Sequence, residues 1–150
     1  MHVLGRIPST TSWVPLDTAE HAAEVPGVLV TLFATPLWYA NADHFRIQLT
    51  AAVDRAGRAL RLVVLDAIGR TDLDYTGSRV LAEALDELDR RGVSFAMARA
   101  SKAVRDGLSR SRLLTRIGPD HLFASVGEAV EALRPPPPDD RGTGSAAPRP

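Results

Sequence analysis

The sequence predicts a single α/β domain in which a central, mixed but mostly parallel β-sheet is flanked by about four α-helices. Short apolar runs rich in β-branched residues alternate along the chain with segments whose apolar residues recur at helical spacing. Each helical segment follows a strand-like run, the order that produces parallel strands joined by crossover helices. About 45% of the 150 residues are apolar, enough for one core.

The chain divides into three predicted parts, namely 1–25, 26–134 and 135–150. In the first part, we expect a short strand over 3–8 that Pro8 ends, and otherwise a loop with one helical turn. The middle part is the α/β domain. The last part is rich in Pro, Gly, Ser and charge, so it is predicted to be a disordered, Pro-rich tail.

The domain is predicted to begin with a β-branched strand over 28–33. Residues 37–39 continue as an edge strand or enter the next helix. Asn41 is a good N-cap for a helix that Gly57 ends. An unbroken apolar run makes 62–68 the central strand, and 77–91 has the clearest helical stripe of the chain.

The remaining elements repeat this alternation. Residues 93–98 are a strand, and Ser101 is placed to cap a helix whose apolar pattern continues to about 117. A short strand over 121–123 precedes Ser125, whose spacing to Glu128 has the pattern of a capping box for a final helix.

The most informative stretch lies between the central strand and its helix. Asp72, Asp74 and Thr76 alternate there, so in an extended loop their side chains would point to one side. Gly77 permits a tight turn, and Ser78 adds a hydroxyl in the first helical turn. Such a loop suits a phosphate or a cationic group of a partner.

A structural interpretation of the same carboxylates is also open. Asp74 or Thr76 would then cap the helix, while Asp66 and Asp72 would accept hydrogen bonds from loop N–H groups. No nucleophile or cofactor motif accompanies these carboxylates, so we predict no enzyme and no catalytic residue.

A second candidate is a basic stretch opposed by a single aspartate, Asp106. Its six cations are Arg99, Lys102, Arg105, Arg110, Arg112 and Arg116. Among them, Arg99, Lys102 and Arg105 are candidate contacts for a partner or an anion, and a solvated helix face is the alternative. Trp38 and Tyr39 allow an exposed contact, but at a strand edge we favour core or rim positions.

Composition excludes several classes of function. The formal net charge is zero, which gives no reason to expect nucleic-acid binding. Cysteine is absent and the four histidines lie far apart, so no metal site is predicted. No apolar run approaches about 20 residues and no secretory signal is present, so we expect an intracellular protein.

Several motifs together resemble a known family. Asp-Tyr-Thr-Gly at 74–77, preceded by Val-Val-Leu-Asp-Ala and followed by an amphipathic helix, resembles the STAS domain. Stretches 3–8, 26–30, 34–45, 95–99, 113–114 and 117–123 are similar, in the same order, to the C-terminal domain of SulP-type anion transporters. The likeness covers about residues 3–133, and segment 1–25 resembles the residues that leave the last membrane helix of such transporters.

This resemblance implies a non-catalytic regulatory domain associated with a SulP-type sulfate transporter. Its partner would be a membrane transporter domain, in cis or as a separate chain, at the cytoplasmic face of the cell membrane. The alternative is the anti-sigma-factor-antagonist branch, in which Thr76 would be phosphorylated by a serine/threonine kinase. Tyr75 and Ser78 depart from the usual residues of that branch. STAS domains have also been proposed to bind nucleotides, but this sequence has no dedicated phosphate loop, and no cofactor is predicted.

Overall fold

The computed structural model describes residues 1–35, 37–69 and 72–136. Within these ranges six strands form one mixed sheet in the order β2-β1-β3-β4-β5-β6. The strands are β1 (His2–Arg6), β2 (Trp13–Pro15), β3 (Val28–Leu32), β4 (Leu62–Asp66), β5 (Ser94–Ala98) and β6 (Leu122–Phe123). The α-helices are α1 (Ala42–Ala56), α2 (Tyr75–Arg90), α3 (Lys102–Arg110), α4 (Leu113–Ile117) and α5 (Val126–Leu133). Single turns of 3-10 helix occupy Gly57–Ala59 and Pro119–His121.

The parallel part of the sheet is the predicted one. β3, β4, β5 and β6 pair in parallel, with Val30 opposite Val64 and Val64 opposite Ala96 in the two central ladders. β1 is antiparallel to both β3 and β2. The predicted fold class, a mixed and mostly parallel α/β sheet in one domain, is confirmed.

Two details differ from the prediction. The loop expected after Pro8 contains β2, a three-residue strand that is too short to show a sequence pattern and forms only because β1 offers it a free edge. The helical pattern after Ser101 contains two helices, which raises the number of described α-helices from about four to five. The break falls at Arg112, whose φ of 62° cannot continue a right-handed helix.

Helices cover both faces of the sheet, but unequally. The larger core lies between one face and α1–α4 and includes Val63 and Leu65. The smaller core lies under α5 and includes Leu62 and Val64. This alternation along β4 is the period of two expected for a strand that is buried on both faces. Each leucine of α2 that faces the larger core contributes about 1.5–3 kcal/mol by its burial.

Of the three caps predicted at Asn41, Ser101 and Ser125, two are confirmed and one is wrong. Ser101 and Ser125 cap α3 and α5 by accepting from the N–H groups of Val104 and Glu128. Asn41 precedes α1 without capping it, and its Oδ1 accepts from the Trp38 N–H at 3.1 Å. α5 ends at Leu133, and from residue 137 onward the predicted disordered tail lies outside the described residues.

Candidate functional site

The loop that follows β4 emerges at the carboxyl end of the central strand, the position where open α/β sheets bind their ligands. Asp74 ends this loop and begins α2. Its Oδ1 accepts from the Gly77 N–H at 2.6 Å, and its Oδ2 accepts from the Tyr39 N–H at 3.2 Å. One carboxylate therefore caps the helix and attaches the neighbouring loop to it, in agreement with the structural interpretation of Asp74.

Gly77 is needed here because two backbones come close together. A Cβ added at Gly77 would lie 2.5 Å from the carbonyl oxygen of Leu37. Leu37 also forms a parallel bridge with Leu73, the residue before Asp74. The first turn of α2 is thus packed directly against the chain that enters α1, and no side chain other than hydrogen fits between them.

The expected extended arrangement of Asp72, Asp74 and Thr76 is wrong, because α2 begins at Tyr75, two residues earlier than predicted. Thr76 is the second residue of the helix and is half-buried. Ser78 is only 6% exposed, which withdraws its hydroxyl from the surface. Among the four side chains of this loop that were predicted to meet a partner, namely Asp72, Asp74, Thr76 and Ser78, Asp72 is the exposed one.

The loop is also held from the side of α3. A Cβ at Gly107 would lie 3.0 Å from the Leu73 Cβ, so α3 packs closely on the loop. The Asp72 Oδ1 accepts from the Leu73 N–H at 2.7 Å and lies 3.7 Å from the Arg110 guanidinium. The loop therefore sits between the segment that precedes α1 and the helix that follows β5.

Asp66 and Arg99 form an anchor beneath this loop. Asp66 ends β4, is fully buried, and accepts from the Ile68 N–H at 3.1 Å. The Arg99 guanidinium binds it in a fork, with Nε 2.9 Å from Oδ1 and a terminal nitrogen on Oδ2. Hydrogen bonding to Asp66, with the attraction between the two charges, raises the pKa of Arg99 above its usual value. Arg99, predicted as a partner contact, thus has a structural role.

Most of the basic stretch is neutralised by carboxylates of the same chain. Lys102 pairs with Asp106 at 2.7 Å, and Arg116 pairs with two aspartates of α2 at 2.6 and 2.9 Å. Arg105 has no carboxylate within 4.0 Å among the residues that the structure describes. Of the three cations predicted to contact a partner, Arg105 is the one that keeps an uncompensated charge.

Three aromatic side chains beside the loop are exposed. Trp38 is 46%, Tyr39 70% and Tyr75 84% exposed, and the Trp38 and Tyr39 rings meet edge-to-face at 5.0 Å. Of the core or rim positions favoured for Trp38 and Tyr39, the core is excluded, because the chain at these residues is a loop and not a strand. Tyr75, which the resemblance marks as a departure from the antagonist branch, is the most exposed of the three and follows the capping residue of α2. We call these aromatic residues, with Asp72 and Asp74, the contact face.

Membrane-spanning helices and clustered metal ligands are both absent from the described residues. None of their helices is long and apolar enough to cross a membrane. They also contain no cluster of three or more His, Cys, Asp or Glu side chains that could hold a metal ion.

The described residues form a small α/β domain, a mixed sheet with helices on both faces. At the carboxyl end of its central strand, the start of α2 is joined to the loop that precedes α1. The family model of the STAS domain matches residues 21–129. The chain belongs to the STAS domain family, as its motifs predicted.

Several relatives of the chain are sulfate transporters. A probable sulfate transporter of Mycobacterium tuberculosis is 36% identical over 132 residues, which cover 88% of this chain and 24% of the transporter. Sulfate transporter 3.1 of Arabidopsis thaliana is 27% identical over 139 residues, covering 87% of this chain and 21% of the relative. The chain thus spans about a quarter or less of the length of these relatives.

Solved structures agree on the fold. The murine solute carrier 26 family member A9 anion transporter superposes with a TM-score of 0.79 at 24% identity, over 87% of this chain and 21% of that one. A putative anti-sigma factor antagonist from Thermotoga maritima superposes with a TM-score of 0.63 at 20% identity, over 74% and 91% of the two chains. At these identities the likeness establishes the fold alone.

Proposed function

We propose that the chain is a non-catalytic regulatory domain that docks on the membrane domain of a SulP-type sulfate transporter, in cis or as a separate chain. The observation that carries the proposal is the 36% identity, over 88% of this chain, to a probable sulfate transporter of which it matches only 24%. The remaining length of that relative is the natural place for a membrane domain. The docking partner is then at the cytoplasmic face of the cell membrane.

The contact face supports this proposal physically. Exposed aromatic side chains are enriched in protein interfaces because their rings bury a large area at low cost in conformational entropy. Trp38, Tyr39 and Tyr75 are carried by two segments that Asp74 and Gly77 hold together, so the face is largely preorganised. On the exposed side of α3, Lys102 and Arg105 form a proposed secondary contact.

The test is capture by a purified membrane domain. The membrane domain of the mycobacterial relative, in detergent, is mixed with this chain and with Trp38→Ala and Tyr75→Ala variants. Ile47→Ala is the matched control, since Ile47 is a 59% exposed apolar residue on α1. We expect the wild type and the control to be captured and the aromatic variants to be lost; capture of all four alike would refute the role of the contact face.

A second candidate is a phosphorylation switch at Thr76. The observation that favours it is the position of Thr76 in the first turn of α2, where the helix dipole favours an added phosphate. The Asp74 carboxylate opposes it by charge. Incubation with anti-sigma kinases and mapping of the phosphate by mass spectrometry decides this candidate, because an unlabelled Thr76 would remove it.

A further inference from the structure

An open groove on the contact face is lined by both an aromatic side chain and carboxylates. It is lined by Thr35, Leu37, Trp38, Asn41, Asp72 and Asp74 and encloses about 620 Å³. Leu37 is 1% exposed and gives an apolar floor, whereas the indole of Trp38 is nearly half exposed. An aromatic wall and two carboxylates therefore share one depression.

Among the residues that the structure describes, few cations compensate the negative charge of this groove. The nearest cation to Asp72 in the described part of the chain is Arg110, at 3.7 Å, which is longer than a hydrogen bond. Both side chains are about two-thirds exposed, at 64% and 66%. The two oxygens of Asp74 accept hydrogen bonds from backbone N–H groups. These bonds fix the position of the carboxylate but bring no positively charged side chain to it.

The chemistry that fits these walls is a flat cation. A guanidinium stacks on an indole face through cation–π attraction and also donates two parallel hydrogen bonds to a carboxylate. A lysine ammonium lacks the planar fork. An anion would meet two carboxylates, which repel it. The approach of Arg110 to Asp72 already places one guanidinium of this chain at the margin of the groove.

We propose that the groove binds an arginine side chain of the protein that docks on the contact face. The inference rests on the proposed function and deepens it, because it names the chemistry that the partner must present. Trp38 supplies the stacking surface and Asp72 the hydrogen-bond acceptor. Arg110 competes from within the chain for the same carboxylate.

The inference is tested by nuclear magnetic resonance titration of the ¹⁵N-labelled chain. The probe is the peptide acetyl-Gly-Arg-Gly-amide, and the control peptide carries citrulline, which has the shape of arginine without its charge. We expect saturable shifts of the Trp38 indole N–H and of the Tyr39 and Leu73 amides with the arginine peptide only. Equal shifts with citrulline, or stronger shifts with inorganic phosphate or choline, would overturn the assignment.

Three variants should change the affinity for the arginine peptide, two by lowering it and one by raising it. Trp38→Ala and Asp72→Asn should each weaken binding of the arginine peptide by about two- to thirty-fold, the range of a cation–π or exposed ion-pair contribution. Arg110→Ala should tighten it, because the internal competitor is gone. Asp43→Asn is the matched control, since Asp43 is an 88% exposed carboxylate of α1 outside the groove lining. If Arg110→Ala weakened binding or the control weakened it equally, the groove assignment would be wrong.

The outcome separates this inference from the proposed function. If the chain is captured by the transporter's membrane domain but shows no specific shifts with the arginine peptide, the docking proposal stands and the arginine site is refuted. If the peptide binds as expected and capture fails, the groove recognises arginine on a different protein, and the transporter partner is refuted.

Discussion

The contact face and the basic stretch of 99–116 differ in how many of their side chains bind other residues of this chain. In the basic stretch, Arg99, Lys102 and Arg116 each bind carboxylates of this chain. On the contact face, the aromatic side chains stay in solvent while the backbone beneath them is held firmly. A run of like charges in a sequence therefore says little about a free surface, because its neutralising partners come from other elements.

The largest expected effect tests whether Arg99 is structural. Arg99→Ala leaves the fully buried Asp66 carboxylate without its cation, which should cost about 3 kcal/mol of unfolding free energy. We place the value at the low end of the usual range because the Arg99 side chain is 38% exposed and water screens the pair. Urea denaturation measures the change.

The matched control for Arg99 is the double variant Arg99→Ala with Asp66→Asn. It removes the buried charge as well, so it should recover part of the loss. A single Arg99→Ala variant as stable as the wild type would show that Arg99 is not structural and would make it a candidate partner contact again.

The sequence was sufficient for the alternation of strands and helices because apolar periodicity is a local property. The same local signals located Ser101 and Ser125 as caps. The pairing of Asp66 with Arg99 was not predictable, since 33 residues separate them and only the parallel register of β4 and β5 brings the strand ends together. The exposure of Trp38 and Tyr39 depends in the same way on where the loop before α1 lies.

The second prediction concerns the close approach that supports the contact face. Gly77→Ala places a Cβ against the Leu37 carbonyl, so one backbone must move, which should cost about 1–3 kcal/mol despite the better helix propensity of alanine. The matched control is Gly127→Ala in α5, where an added Cβ has no neighbour closer than 3.9 Å.

We expect the Gly127→Ala protein to be as stable as the wild type or slightly more stable, again by urea denaturation. Gly77→Ala should also change the environment of Trp38, which near-ultraviolet circular dichroism reports. Equal stabilities of the two alanine variants would mean that the contact face is not held by this packing.

A smaller effect is expected from the cap that joins the two segments of the contact face. Asp74→Ala should cost about 0.5–2 kcal/mol, because the Gly77 and Tyr39 N–H groups both lose their acceptor. Ser125→Ala removes a cap that serves one N–H, that of Glu128, and is the matched comparison. Asp74→Ala should cost more than Ser125→Ala, and the reverse order would show that the bond to Tyr39 contributes nothing to stability.

The smallest effect belongs to the exposed part of the basic stretch. Lys102 is 88% exposed and pairs with Asp106 one turn along α3, so Lys102→Ala should change the unfolding free energy by no more than about 0.5 kcal/mol. Arg116→Ala should cost more, because Arg116 is 32% exposed and ties α4 to both Asp86 and Asp89 of α2.

Repeating both measurements in 1 M salt should shrink the Lys102 effect further, since the Debye length falls to about 3 Å. A large, salt-insensitive loss of stability for Lys102→Ala would show that this lysine is packed rather than solvated. Of the three cations predicted to contact a partner, only Arg105 would then remain a candidate.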